Sequence, residues 1–263
     1  MAPRSLFKLA VLTGLVLANL VSPALAARKA GFRFINRGEL NTLDPNRMSW
    51  MQDIRIGYAL WEGLYALDPD TLNPIPGAAD KIDINDDKTV YTFHLRPNGK
   101  WSDGDPVTSA DFVFAWRRML REPGDYTYLF NYIKGAEDYQ KAFAADPKTA
   151  DFKSVGIEAP DDKTLIVRLK HPVTFFPDLC AFPSFFPLNE KSMEPFKDTD
   201  PKTGRTSYRG EFTRPPNLIS NGPYKLTSWE LNVGQRLDAN PFYWDAKNVK
   251  TKAIETVSVE DPL

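Results

Sequence analysis

Cysteine and histidine are almost absent from this chain of 263 residues. Cys180 is the only cysteine, so no disulfide can form within the chain, and its apolar neighbours favour a buried, inert thiol over a nucleophile. His94 lies in a predicted strand and His171 precedes a proline, and no G-x-S-x-G or H-E-x-x-H motif accompanies either. We therefore expect a protein that is not an enzyme and has neither a metal nor a cofactor.

An excess of charge of one sign is also missing. The chain has 33 basic and 34 acidic residues, a formal net charge of -1, and no run of like charge. Nucleic acids and anionic membranes attract basic patches, so neither is expected as a partner. The acidic stretches DINDDK, which starts at Asp83, and DGD, at 103–105, lack the residues that a calcium loop requires. Both are predicted to be solvated turns.

Long hydrophobic runs are missing beyond the start of the chain. Residues 9–21 are largely apolar, follow two basic residues and precede small residues at Ala24 and Ala26, a pattern typical of a signal peptide cleaved after Ala26. No later segment approaches the ~20 consecutive apolar residues of a membrane-spanning helix. We therefore expect an exported, periplasmic protein with no stable membrane insertion.

Apolar periodicity predicts the main elements. The spacing of Ile56, Leu60 and Leu64 predicts a helix over 53–67. Alternating apolar residues on either side of turn signals predict β-hairpins over 82–95, 157–169 and 223–244, and a further strand begins at 254. The four prolines between 193 and 221 predict a long irregular connection.

A second helix is predicted after the turn NGKWSDGDP. Thr108 followed three residues later by Asp111 is a capping-box pair, which marks the start of a helix. Phe112, Trp116 and Met119 then fall on one helical face. The acidic turn is therefore interpreted as a device that reverses the chain into a capped helix.

Aromatic residues make up 13% of the chain and favour binding over catalysis. An extended ligand can add to an exposed strand edge through main-chain hydrogen bonds, while aromatic walls accept varied side chains. Trp50, Tyr126, Tyr128 and Tyr132 lie in turn-rich segments and are candidates for such walls. Ordinary packing explains any one of them equally well.

Several motifs in a fixed order resemble one known family. LDPNR, LWEGLY, PGAADKIDINDDKTVYTFHL, LRPNGKWSDGDPVTSADFVFAWRRM, NGPYKLTSWELN and NPFYWD together resemble the oligopeptide-binding proteins of ATP-binding-cassette (ABC) importers, solute-binding protein family 5. The resemblance covers essentially the whole chain after the signal peptide. It implies capture of a short peptide for a membrane permease, without catalysis.

The resemblance also implies a fold. The expected class is α/β (mixed α+β), a periplasmic-binding-protein-like lobe with a mixed sheet and an inserted, smaller α+β domain. The implied divisions are a signal peptide at 1–26, the first lobe at 27–60 and 187–263, and the inserted domain at 61–186. Family members continue into a second lobe, so we expect that lobe to be absent and the chain to end at the hinge.

Ligand-contacting residues are implied at two places. The loop after the L-D-P motif lends main-chain groups to the ligand in the relatives, and here it comprises Met48, Ser49, Trp50 and Met51. Ser49 stands where the relatives commonly have an acidic residue, so their recognition of peptide termini does not transfer directly. The tyrosine that follows the second helix and contacts peptide in the relatives corresponds to Tyr128, with Tyr126 as the alternative.

Three roles stay open from the sequence. The first is peptide capture, with millimolar or weaker affinity for this chain alone because a one-sided site is poorly desolvated. The second is a truncated half-receptor that acts as a scaffold or partner of a permease without binding ligand. The third is a secreted hydrolase, which requires a pair of carboxylates brought together by the fold.

Overall fold

The computed structural model describes residues 31–259, so the predicted signal peptide lies outside the described residues. The helices in this range are α1 (Met51–Leu60), α2 (Ser109–Arg121), α3 (Ala136–Ala145), α4 (Phe176–Cys180) and α5 (Glu190–Met193). The strands are β1 (Phe32–Arg37), β2 (Tyr65–Leu67), β3 (Pro74–Pro76), β4 (Ala79–Ile84), β5 (Val90–Leu95), β6 (Ile157–Asp161), β7 (Thr164–Arg168), β8 (Lys197–Thr199), β9 (Thr206–Tyr208), β10 (Tyr224–Glu230), β11 (Gly234–Ala239) and β12 (Ala253–Val259).

A mixed sheet joins the two ends of the described chain. Its strand order is β1-β12-β11-β10, with β1 parallel to β12 and the other neighbours antiparallel. The hairpin predicted over 223–244 is confirmed as β10 and β11, and the strand predicted from 254 is confirmed as β12. The mixed α/β class is confirmed by this sheet.

The second sheet is antiparallel and has the order β4-β5-β7-β6. It contains the other two predicted hairpins, with Ile82 opposite Phe93 and Glu158 opposite Ile166. Aromatic packing links this sheet to α2. The Phe176 ring lies 6.3 Å from that of Phe93 and 6.2 Å from that of Phe185, which in turn lies 5.4 Å from Trp116.

The predicted helix over 53–67 is wrong at its end, because α1 stops at Leu60. Trp61 has extended backbone angles, and a side chain at Gly63 would come within 2.2 Å of the carbonyl oxygen of Cys180. The chain passes close to α4 here and then enters β2, which pairs with β3. A close approach between distant segments therefore ends α1 before the helical pattern does.

The capping box at the start of α2 is confirmed. The Oδ2 atom of Asp111 accepts hydrogen bonds from the Thr108 amide at 2.7 Å and from the Trp101 indole at 3.2 Å. Burial raises the pKa of this carboxyl to about 6. The acidic turn and the helix are therefore one hydrogen-bonded unit.

The connection over 193–221 is less irregular than predicted. It contains the short hairpin β8–β9, in which Lys197 pairs with Tyr208 and Thr199 with Thr206. Every residue of β8 is exposed. Without buried alternation, the sequence carries no periodic signal for these strands.

Candidate functional site

The residue just before α1 has an extended backbone and an exposed side chain. Trp50 precedes the first helical residue with φ -92° and ψ 143°. The side chains of Trp50 and Met51 are 61% and 67% exposed, although both are large and apolar. Met48, by contrast, is 1% exposed and its sulfur packs against Gly57 of α1. Any contact of Met48 with a ligand is therefore confined to its main chain.

Ser49 has unpaired main-chain groups. The Met48 amide donates to the Asp44 carbonyl at 3.0 Å, and the Trp50 carbonyl accepts from the amides of Asp53 and Ile54. Neither the amide nor the carbonyl of Ser49 has a hydrogen-bond partner within residues 31–259. Buried main-chain groups nearly always find partners within the protein, whereas exposed ones bond to water or to a ligand. Ser49 thus offers one donor and one acceptor next to Trp50, whose backbone is extended.

A buried ion pair fixes the loop that leads to Ser49. Both oxygens of Asp44 accept from Arg118 of α2, at 2.8 and 2.7 Å, and Asn46 accepts from the same guanidinium at 3.1 Å. The side chains of Asp44 and Arg118 are 6% and 4% exposed. Arg47 adds a hydrogen bond to Glu122 at 3.1 Å. Removing one partner of such a pair leaves a buried, uncompensated charge, so this anchor is rigid.

The structure brings the two predicted segments onto adjacent loops. Gly124 follows α2 so closely against the other loop that a side chain there would come within 2.4 Å of the Asn46 carbonyl oxygen. Four residues on, Tyr128 is 61% exposed. The half-buried ring of Tyr126 packs edge-on against Phe182, with centroids 4.8 Å apart. Tyr128 is therefore the freer of the two tyrosines to meet a ligand.

A concavity at the other end of α1 was missed by the sequence reasoning. It has a volume of about 410 Å³ and is largely apolar, with Tyr58, Trp61, Tyr65, Leu72, Phe186 and Tyr243 among its lining residues. Tyr58 is seven residues after Met51 and so lies on the same face of α1. That spacing is a signal that could have placed Tyr58 beside the site. Phe186 has no such signal, because it meets Tyr58 only through the fold, at 5.9 Å between ring centroids.

Glu62 lies beside this concavity and holds distant segments together. Its carboxylate accepts from the Tyr243 hydroxyl at 2.5 Å and from the Trp244 indole at 2.7 Å. Its main chain exchanges two hydrogen bonds with the side-chain amide of Asn221, at 3.0 and 2.8 Å. Burial raises the pKa of the Glu62 carboxyl to about 7 from an ordinary 4.5.

The residues considered for catalysis are not assembled into a centre. Cys180 is fully buried, and this burial raises the pKa of its thiol. His94 contacts Asp83 at 2.7 Å on the surface of the second sheet, and His171 contacts the neighbouring Pro172 carbonyl and the Tyr132 ring. Across residues 31–259, no three or more histidine, cysteine or carboxylate side chains gather where a metal ion would fit.

No helix in the described part of the chain has the length and apolar character needed to cross a membrane.

Comparison with known families gives a match over most of the chain. Residues 73–263 match the family described as bacterial extracellular solute-binding proteins, family 5 Middle. The relatives named below are binding proteins, in agreement with the expectation that this chain is not an enzyme.

The chain is similar to characterised peptide-binding proteins. It is 34% identical to the periplasmic oligopeptide-binding protein OppA of Salmonella typhimurium over 257 residues, which cover 94% of this chain and 44% of that protein. It is 33% identical to the dipeptide-binding protein DppE of Bacillus subtilis, covering 86% of this chain and 38% of that protein. The chain thus spans less than half the length of these relatives.

Solved structures of similar proteins share the fold. The periplasmic oligopeptide-binding protein OppAIV of Borrelia burgdorferi matches with a TM-score of 0.78 at 30% identity, over 88% of this chain and 43% of that one. The OppA of Haemophilus influenzae, in complex with RPPGFSPFR, matches with a TM-score of 0.76 at 29% identity, over 88% and 42%. On sequence and fold together, this chain belongs to family 5 of the bacterial extracellular solute-binding proteins.

Proposed function

We propose that this chain contributes the ligand-contacting wall of a periplasmic receptor that captures short peptides for the permease of an ABC importer. The observation that carries the proposal is the loop at Ser49, whose amide and carbonyl are both unpaired within the described residues. A peptide in an extended conformation can add there as a strand. The functions of the relatives, oligopeptide and dipeptide binding, support this choice of ligand.

The side chains around Ser49 suit a ligand of varied sequence. Trp50, Met51 and Tyr128 are all more than half exposed and present aromatic or thioether surface. Aromatic faces and methionine accept many partner shapes without charge selection. Ser49 itself brings no charge, so affinity rests on the peptide main chain and on apolar contact. The receptor is therefore expected to bind by peptide backbone more than by terminal charge.

Methylation of the ligand tests main-chain recognition without changing the protein. A pentapeptide with an aromatic side chain is titrated into the chain while tryptophan fluorescence is followed, and then each amide of the peptide is N-methylated in turn. Alternate amides of a strand face the same neighbour. We expect millimolar affinity for the parent peptide, since one wall desolvates a ligand only partly. Methylation at alternate positions should abolish binding and leave the intervening positions unaffected.

Two variants complete this experiment. Tyr128→Ala should weaken peptide binding, whereas Phe242→Ala, which removes an exposed aromatic residue outside both loops, should not. Uniform tolerance of N-methylation, or equal effects of the two variants, would contradict the proposal.

The predicted division of the chain stays part of the proposal. The mixed sheet is built from residues on either side of 61–186, and the antiparallel sheet lies within that range. This arrangement supports an inserted domain between two pieces of one lobe. In the proposed receptor, the insert supports the ligand wall through Asp44 and Arg118.

A scaffold role is the second candidate, and one observation favours it. Ile35 on β1 is 65% exposed and lies opposite Val257 on β12, while Val259 is 42% exposed. Exposed apolar surface of this kind marks contact sites. Sedimentation of the chain across a concentration series separates the two roles. Self-association that Ile35→Lys abolishes, together with no response to peptide, would favour the scaffold.

A further inference from the structure

A positively charged concavity lies between the second half of α2 and the β8–β9 hairpin, apart from the proposed peptide site. Its volume is about 210 Å³. The lining residues are Phe114, Arg117, Arg118, Arg121, Glu122, Glu190, Lys197, Thr206 and Tyr208. Four of these side chains are cationic and two are anionic, although the chain as a whole is almost neutral.

Two of the arginines carry charge that no carboxylate offsets. Arg117 and Arg121 are half-buried, and neither forms an ion pair with any residue between 31 and 259. They are four residues apart on one face of α2, where like charges repel each other. Half-buried like charges without counter-ions are unfavourable unless something compensates them.

Aromatic rings hold these guanidinium groups in place. The Arg121 guanidinium lies 5.3 Å from the centroid of Phe143, and its Nε donates to the Tyr139 hydroxyl at 2.6 Å. Arg117 lies 5.9 Å from the centroid of Phe152. Arg205 approaches the Phe143 ring from β8–β9, at 5.5 Å, and adds positive charge nearby. Aromatic rings orient a cation without neutralising it.

The position of the arginines near the end of α2 explains only part of the clustering of positive charge at this concavity. Cations in the last turn interact favourably with the helix dipole, which accounts for Arg118 and Arg121. It does not account for Arg117, which is further from the end. Nor does it explain why Lys197, Thr206 and Tyr208 of a separate hairpin add an ammonium and two hydroxyl donors to the same concavity.

Two of the four cations that line the concavity are paired with carboxylates of the described residues, and two are not. Glu122 is engaged by Arg47 at 3.1 Å and lies 3.6 Å from Arg118. Arg118 is in turn paired with Asp44, at 2.7 Å. Glu190 is exposed at the start of α5, and Lys197 also contacts Glu194, at 3.1 Å. The guanidinium groups of Arg117 and Arg121 are left to meet a ligand.

We propose that this concavity, defined by Arg117, Arg121, Lys197 and Tyr208, binds a phosphate group. Guanidinium groups bind phosphate with paired, charge-assisted hydrogen bonds, and a tetrahedral dianion can accept from donors on several sides at once. The pocket is large enough for a single phosphate group and does not depend on the proposed peptide site. The phosphate belongs either to a small soluble anion or to a lipid headgroup, and the two sources are separable by experiment.

The test uses inorganic phosphate and the whole chain. Thermal unfolding and calorimetric titration are measured with phosphate against chloride at equal ionic strength, because salt screens surface charge in general. We expect millimolar or tighter binding and a raised midpoint with phosphate. The variant Arg117→Gln/Arg121→Gln should weaken binding by about tenfold or more, since it removes the charge-assisted donors. The control Lys247→Gln/Lys250→Gln removes two exposed charges elsewhere and should bind as the parent does.

A second measurement separates the sources. Flotation with phosphatidylcholine vesicles, with and without phosphatidylglycerol, reports headgroup binding. If the chain binds free phosphate and this binding depends on the two arginines, the ligand is a soluble anion. If the arginines are needed for flotation but free phosphate does not bind, the ligand is a lipid headgroup. If Arg117→Gln/Arg121→Gln fails to fold, Arg117→Gln alone serves instead, because the Arg117 side chain has no hydrogen bond to any residue in the range 31–259. Equal responses to phosphate and chloride with no flotation, or equal responses in control and variant, would overturn the proposal.

Discussion

At the scale of single residues, Ser49 and Glu62 differ in how far sequence predicts their role. Ser49 was predicted from its place after the L-D-P motif, and the structure adds that its main-chain groups are unpaired. Glu62 was not predicted, although it stands inside the LWEGLY motif. Its partners Tyr243 and Trp244 are some 180 residues away in the chain, at separations of 181 and 182. No local sequence pattern predicts a hydrogen bond between residues so far apart in the chain.

Glu62 makes stability depend on pH. Its pKa is raised from 4.5 to about 7, so the folded state holds the proton more tightly than the unfolded state does. The contribution of protonated Glu62 to the free energy of unfolding is fully present below pH 4.5 and is lost as the pH rises through 7. At 1.36 kcal/mol per unit of pKa, the loss amounts to roughly 3 kcal/mol.

The variant Glu62→Gln isolates this contribution, because glutamine resembles the protonated acid. We expect the free energies of unfolding of parent and variant, measured in urea, to be similar near pH 4.5. Towards pH 8 the free energy of unfolding of the parent should fall below that of the variant. A constant difference across this range would show that Glu62 titrates normally in the folded protein.

At the scale of elements, the alternation of apolar residues and the capping box predicted the elements that depend on local sequence. The three hairpins and α2 were predicted because buried and exposed positions alternate within a few residues. The end of α1 was not, since it depends on the approach of Cys180 to Gly63. The β8–β9 hairpin was not predicted either, because its short strands bury too little to show a pattern.

Gly124 tests whether contact between two elements positions the proposed site. Its backbone angles suit alanine, but a Cβ would come 2.4 Å from the Asn46 carbonyl oxygen. Gly124→Ala should therefore destabilise the protein by about 1–3 kcal/mol, the usual effect of overpacking. It should also shift the loop before α1 and so change the fluorescence of Trp50.

Gly210→Ala is the matched control, since nothing lies within 4 Å of a Cβ there. It should leave both the thermal midpoint and the fluorescence spectrum unchanged. If Gly124→Ala behaves like this control, the close contact between Gly124 and Asn46 does not position the loop.

At the scale of the whole molecule, two buried polar contacts join segments that are distant in the chain. The ion pair between Asp44 and Arg118 joins the loop before α1 to α2. The hydrogen bond between Glu62 and Asn221 joins the end of α1 to the start of the β10–β11 hairpin. The family resemblance predicted the architecture, because its motifs recur in order along the chain. It did not predict the concavity beside α1, whose lining residues come from three distant segments. The order of the motifs therefore predicts the fold, whereas the concavity can be identified only in the folded structure.

The most direct test of the central claim is the amide signal of Ser49 in an NMR titration. The isotopically labelled chain is titrated with the aromatic pentapeptide to several millimolar, and amide shifts and hydrogen exchange are followed. We predict that the signals of Ser49 and Trp50 move in a saturable manner and that the Ser49 amide exchanges more slowly with solvent, as a strand-like hydrogen bond requires. Unchanged signals for residues 48–51 at the highest peptide concentration, with or without shifts elsewhere, would contradict the account.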